Sequence, residues 1–117
     1  MKRLAILGAS GHGKVLADIA ECCGWESIVF FDDAFPQKVT SETWSIVGDT
    51  QVFLSSMNDY DGCIVAIGDN ATRLDKVRLL ISSGASIISL VHPSAIVSKY
   101  SSIELGSVVM ANAVISS

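Results

Sequence analysis

The sequence predicts an α/β protein in two parts. A doubly wound parallel sheet covers residues 1–92, and the opening of a hexapeptide β-helix covers residues 93–117. Short continuous apolar runs alternate with amphipathic segments up to Val91, which is the pattern of strands buried on both faces and joined by helices. Beyond His92-Pro93 the period changes to six. Val97, Ile103, Val109 and Ile115 form one column, and the small residues Ala95, Ser101, Ser107 and Ala113 form a second in phase with it. The aliphatic side chain of each unit fills a narrow core, and the small residue turns the corner.

Each element has its own signal. Arg3 to Leu7 is an apolar run that ends at a glycine loop, so it reads as a buried strand. A helix follows from about Gly13 to Cys23, with Val15, Leu16, Ile19, Ala20 and Cys23 as its apolar face and Gly24 as its stop. Ser27 to Phe31 is a second strand ending at Asp32-Asp33, and residues 34–45 form a polar surface excursion. Ile46-Val47 is a short strand before Gly48-Asp49, with a short helix from Thr50 to Ser55. Cys63 to Ile67 is the clearest strand, closed by Gly68-Asp69-Asn70. The helix from Ala71 to Ser83 sets Leu74, Val77, Leu80 and Ile81 on one face before Gly84, and Ser86 to Val91 forms the last strand. Proline at position 93 discourages helix and marks the junction.

Composition narrows the partners. Half the residues are hydrophobic and 17% are charged, as in a globular chain, and 117 residues set an expectation of a modest core. The net charge of −4 comes without any Lys/Arg cluster, which excludes a phosphate-backbone grip on nucleic acid. The apolar stretch after Met1-Lys2-Arg3 breaks at Gly8, too early for a signal peptide, and no run is long enough to span a membrane. Cys22, Cys23 and Cys63 match no metal spacing and read as small core residues in a reducing compartment, so the chain is expected to be cytoplasmic and metal-free.

The chemistry points to Gly8-Ala9-Ser10-Gly11-His12-Gly13-Lys14, between the first strand and the first helix. Glycines let a backbone approach a ligand, and a helix N-terminus offers N–H groups to an anion. Ligands of open α/β sheets bind at the carboxyl ends of strands, where Asp32-Asp33 and Gly68-Asp69-Asn70 also lie. Three loops thus converge on one crevice suited to a phosphorylated or nucleotide-bearing ligand. The plainer alternative is a tight strand-to-helix turn. A dinucleotide fingerprint starting at Gly11 fails at Leu16, although Asp32 stands where an acid meets a ribose hydroxyl. An NAD(H)- or nucleotide-binding module therefore stays open as a second function.

The run from Gly8 to Ala20 resembles the opening of the bacterial sugar O- and N-acetyltransferases that modify surface glycans. These include the sialic acid O-acetyltransferase group and the N-acetyltransferases of UDP-4-amino-sugars. Asp32-Asp33, Ala66-Ile67-Gly68-Asp69-Asn70 with Arg73, and His92-Pro93-Ser94-Ala95 follow in that family's order, so the resemblance covers the whole chain. It implies a Rossmann-like domain holding a nucleotide-activated sugar and a left-handed β-helix. Acetyl-CoA would bind between β-helices of neighbouring subunits in a trimer. By position, Gly11, His12 and Gly13 would lie against the sugar nucleotide, Asp32 and Asp33 would face its uridine end, and Asp69, Asn70 and Arg73 would border the crevice.

Neither His12 nor His92 matches the position of that family's catalytic histidine, so the chain is expected to bind the acceptor without catalysing transfer. The candidate catalytic set is empty, and the binding set is Gly8, Ser10, Gly11, His12, Gly13, Lys14, Asp32, Asp33, Gly68, Asp69, Asn70 and Arg73. His12 reads as a binding residue and His92 as a structural one. Lys14 opposes the helix dipole and either approaches a phosphate or is solvated. Asp18 reads as solvated, and Trp25 and Trp44 as packing residues. A single coil cannot bury its own core, so self-association through residues 95–117 is expected.

Overall fold

The computed structural model describes residues 2–41, 44–94, 96–97, 108–109 and 114–115. Strand β1 (Arg3–Leu7) lies at the centre of the sheet, between β2 (Ser27–Phe31) and β5 (Gly62–Val65). Beyond β2 come β4 (Trp44–Gly48) and the two-residue β3 (Thr40–Ser41). The pairings β4–β2–β1–β5 are all parallel, and β3 adds to the edge antiparallel.

Alternation along the strands builds two cores. Leu4, Ile6, Phe30, Ile46 and Ile64 point to one face, where α1 (Gly11–Cys22) covers them with Leu16, Ala17, Ile19 and Ala20. Ala5, Leu7, Phe31, Cys63 and Val65 point to the other, beneath Phe53 of α2 (Thr50–Ser56) and Leu80 of α3 (Asn70–Ser82). Because both faces are covered, β1 has no polar side to show, which is why it is a continuous apolar run. Burial pushes the Cys63 thiol up to about 11, so it stays protonated and behaves as a small core residue.

Several expectations shift. Helix α1 starts at Gly11 rather than Gly13, since Ser10 takes the extended cap position, and Gly11 to Gly13 become its first turn. Val15 is exposed, because the stripe that meets the sheet runs through Gly13, Leu16, Ala17 and Ala20. Helix α3 likewise meets the sheet along Val77 and Leu80, with Lys76 turned to Asp33 beyond the end of β2, leaving Leu74 and Ile81 at 50% and 59% exposure. The polar excursion holds β3, and the strand after it starts two residues early at Trp44, whose ring meets Phe30 edge-on. Strand β5 ends at Val65, short of Ile67. Trp25 packs in the core as expected. Cys22 is exposed and Cys23 half-buried, its thiol donating to the Val91 carbonyl at 3.1 Å. Gly24 and Gly84 end their helices with φ of +90° and +81°.

The expected last strand, Ser86 to Val91, is divided. Ile87 makes a single parallel bridge to Cys63, and Ile88 then folds over Gly62 and Trp25. Leu90–Val91 (β6) pairs instead with Val108–Val109 (β8), and Ile96–Val97 (β7) pairs with Val114–Ile115 (β9). Both pairs are parallel, and each residue meets the one eighteen positions on. Ala95, Ser101, Ile103, Ser107 and Ala113 lie outside the described residues, and so does most of the segment assigned to self-association.

Candidate functional site

The crevice opens where β1 and β2 end. Its walls are Leu7, Gly8, Phe31, Asp32, Asp33, Thr50, Ile67 and Lys76, around a volume of about 170 Å³. Pockets that hold a whole drug-sized ligand run to about 300 Å³ or more, so this one suits a single ring or group of a larger ligand.

Gly8 shapes the first wall. Its φ is +116°, and a Cβ there would lie 2.5 Å from the Ala66 carbonyl oxygen. No L side chain fits that position. Gly13, expected against the ligand, is buried; a Cβ on it would sit 2.2 Å from the Gly8 carbonyl oxygen and 3.0 Å from the Phe30 ring. Its glycine identity thus serves the packing of α1 on the loop. Ser10, Gly11 and His12 are exposed at the open end of α1, and Lys14 is half-buried one turn in. The first-turn N–H groups have no partner within the helix, which makes this end receptive to an anion. Asp18 is exposed, and the His92 Nδ1 accepts the Ser94 N–H at 3.1 Å within a local turn.

The two aspartates have different work. Asp32 accepts the Ala9 N–H and the Ala34 N–H, each at 2.8 Å, and so ties the glycine loop to the loop after β2. Lys38 closes that loop by donating to the Ala9 carbonyl at 3.0 Å. Asp33 turns to the crevice. Its Oδ1 accepts from the Thr50 hydroxyl at 2.8 Å and the Thr50 N–H at 3.1 Å, and its Oδ2 meets the Lys76 ammonium at 3.0 Å. Lys76 also donates to the Thr50 hydroxyl at 2.9 Å. Partial burial pushes the Asp33 carboxyl up, and the Lys76 and Thr50 donors together outweigh it, holding it below its ordinary value.

The third loop is differently employed. Asp69 caps α3, accepting from the Thr72 N–H at 2.9 Å and the Thr72 hydroxyl at 2.7 Å, bonds that lower its carboxyl's affinity for protons. Arg73 donates to the Asn70 side-chain oxygen at 3.1 Å, and Gly68 is exposed before them. None of these four lines the crevice; Ile67 does. Of the expected binding residues, Gly8, Asp32 and Asp33 come together there, joined by Thr50 and Lys76, which the sequence reading passed over. Their signals were faint. Thr50 follows an aspartate at a helix start, and Lys76 stands four residues before Leu80, on the same helix face. Among the described residues no group of three His, Cys, Asp or Glu side chains could hold a metal, and no helix is long and apolar enough to cross a membrane.

Known proteins resemble this chain along its length. The sequence profile of the PglD N-terminal domain matches residues 3–80. A UDP-N-acetylbacillosamine N-acetyltransferase of Bacillus subtilis (strain 168) is 32% identical over 124 residues, covering 95% of this chain and 52% of that protein. The acetyltransferase domain of PglB from Neisseria gonorrhoeae FA1090, in complex with acetyl coenzyme A, superposes with a TM-score of 0.86 at 36% identity. The match covers 97% of this chain and 55% of that one, and it shares the Rossmann-like sheet. A mutant perosamine N-acetyltransferase from Caulobacter crescentus, in complex with CoA and GDP-perosamine, gives a TM-score of 0.86 at 30% identity, over 99% of this chain and 55% of that one. The chain spans about half the length of these relatives.

Proposed function

The chain belongs to the PglD N-terminal domain family, and from that premise we propose that it is the acceptor-binding part of an acetyl-CoA-dependent sugar-nucleotide N-acetyltransferase. The observation that carries the reading is the crevice itself. It sits at the carboxyl ends of parallel strands, with an apolar wall and a paired charge, and Gly8 in its wall begins the short loop that leads to the open end of α1. A nucleotide-activated amino-sugar needs those three things: a slot for a ring, polar groups for orientation and donors for phosphate.

In the reaction, the sugar amine attacks the thioester carbonyl of acetyl-CoA. A C–N bond forms, the C–S bond breaks, and CoA leaves as the thiol once the amine proton has been removed by a base. This chain's residues bind and orient the acceptor: Gly8 to Gly13 at the phosphates, Asp33 at the nucleoside. No residue of the chain is assigned the base.

The parallel pairs of β6–β8 and β7–β9 support a β-helix as the second part. Their offset of eighteen residues equals one coil of three six-residue units. The coenzyme-bound relatives support acetyl-CoA as the donor, and a trimer that holds it between coils, in bacterial cytoplasm and in surface-glycan synthesis, completes the reading.

Calorimetric titration of the purified protein with UDP, GDP, a UDP-amino-sugar and NADH tests it. Saturable binding of the nucleotide sugar, lost in Asp33→Ala, is expected. Binding of NADH alone would replace this reading with a dinucleotide-binding module.

A further inference from the structure

Lys76 is the least expected group in the crevice. Its side chain is 16% exposed, whereas its partner Asp33 is 64% exposed, so it is the cation that has been drawn in. Lysine is rarely so covered unless something holds it. Here three elements do. Lys76 of α3 donates to the Thr50 hydroxyl of α2, Thr50 donates to Asp33 Oδ1, and Lys76 donates to Asp33 Oδ2, which closes a ring of three hydrogen bonds. The ring fixes both charged groups at the edge of a slot walled by Leu7, Phe31 and Ile67.

Counting donors and acceptors shows what the ring leaves over. An ammonium has three protons, and two are used. Asp33 Oδ2 accepts from Lys76 alone among the described residues, so it keeps a lone pair. One N–H donor and one oxygen acceptor therefore stand about 3.0 Å apart at the end of an apolar slot.

We propose that Lys76 and Asp33 together read the base of the bound nucleotide and select one that presents a carbonyl beside a ring N–H. The inference rests on the acceptor-binding reading above. Uracil and guanine share that edge: the carbonyl oxygen accepts from Lys76, and the neighbouring N–H donates to Asp33. The names of two relatives hold one base each, a UDP-sugar and a GDP-sugar. Cytosine and adenine present an amino group beside an unprotonated ring nitrogen, the reverse order. With the phosphates fixed at the glycine loop the base cannot turn over, so donor would face donor and acceptor would face lone pair. A mismatch of this kind at a charged pair costs about tenfold or more in affinity.

The test is calorimetric titration with UDP, GDP, CDP and ADP, on the wild type and on Lys76→Met. The wild type is expected to bind UDP and GDP about tenfold or more tighter than CDP and ADP. Lys76→Met should lose that preference, and Lys76→Arg, which keeps a donor, should retain part of it. Thermal melting confirms that each variant folds, and Lys76→Ala stands in if the methionine variant does not. Equal binding of all four nucleotides by the wild type would overturn the inference and leave the acceptor-binding reading standing. So would a folded Lys76→Met that keeps the preference. Binding of none of the four would instead sink the acceptor-binding reading, and this inference with it.

Discussion

The Asp32 carboxylate accepts the Ala9 N–H at 2.8 Å, and this bond holds the glycine loop against the end of β2. The other oxygen accepts the Ala34 N–H, also at 2.8 Å, so one side chain fixes two loops. Removing it leaves two backbone donors without their partner. Asp32→Ala is expected to cost about 1–3 kcal/mol of stability in urea unfolding, and Asp32→Asn, which keeps one carbonyl oxygen, less. On the proposed function, nucleotide affinity should fall in the alanine variant as well, because the loop assigned to the phosphates is no longer tied. Unchanged unfolding in Asp32→Ala would show that the carboxylate does not organise the loop.

Gly11 and Gly13 should respond in opposite ways to the same substitution. A methyl on Gly13 meets the Gly8 carbonyl oxygen at 2.2 Å, and that atom is backbone and cannot swing aside. Gly13→Ala is expected to destabilise by about 1–3 kcal/mol or more, with a melting temperature lower by several degrees. A methyl on Gly11 meets nothing within 4 Å, and alanine favours the first turn of a helix. Gly11→Ala should therefore raise stability by up to about 1 kcal/mol, and on the proposed function it should lower nucleotide affinity, since the methyl would stand at the helix end assigned to the phosphates. A Gly11→Ala protein with unchanged affinity would place the phosphates elsewhere.

How much of this was legible depends on the kind of signal. The central strands were plain because a strand covered on both faces is a continuous apolar run, and Arg3–Leu7 and Ser27–Phe31 stand at the expected residues. Helix faces were read less well. Leu74 and Ile81 look like a core stripe from hydrophobicity alone, yet α3 turns Val77 and Leu80 onto the core and Lys76 onto Asp33 and Thr50. Local periodicity cannot show this, since the partners Asp33 and Thr50 lie 43 and 26 residues away. The strand expected over Ser86 to Val91 shrank to a bridge and a short pair for a similar reason. Its partner after Leu90 is Val108, and only the fold brings the two together.

The Asp33–Lys76 pair also sets a pH dependence. Burial raises the Asp33 carboxyl and the Lys76 and Thr50 donors outweigh it, so the folded protein releases that proton more readily than the unfolded chain does. The contribution is thus complete above the ordinary carboxyl value of 3.8 and fades as pH falls through the lower folded value. Asp33→Asn has no such proton to take up. Relative to wild type it should be less stable at about pH 7, with the gap closing below about pH 3.8. Urea midpoints for both proteins at neutral and acid pH decide the matter. A gap that stays constant across that range would mean that Asp33 carries no linked proton and that Lys76 does not hold its carboxylate in the fold.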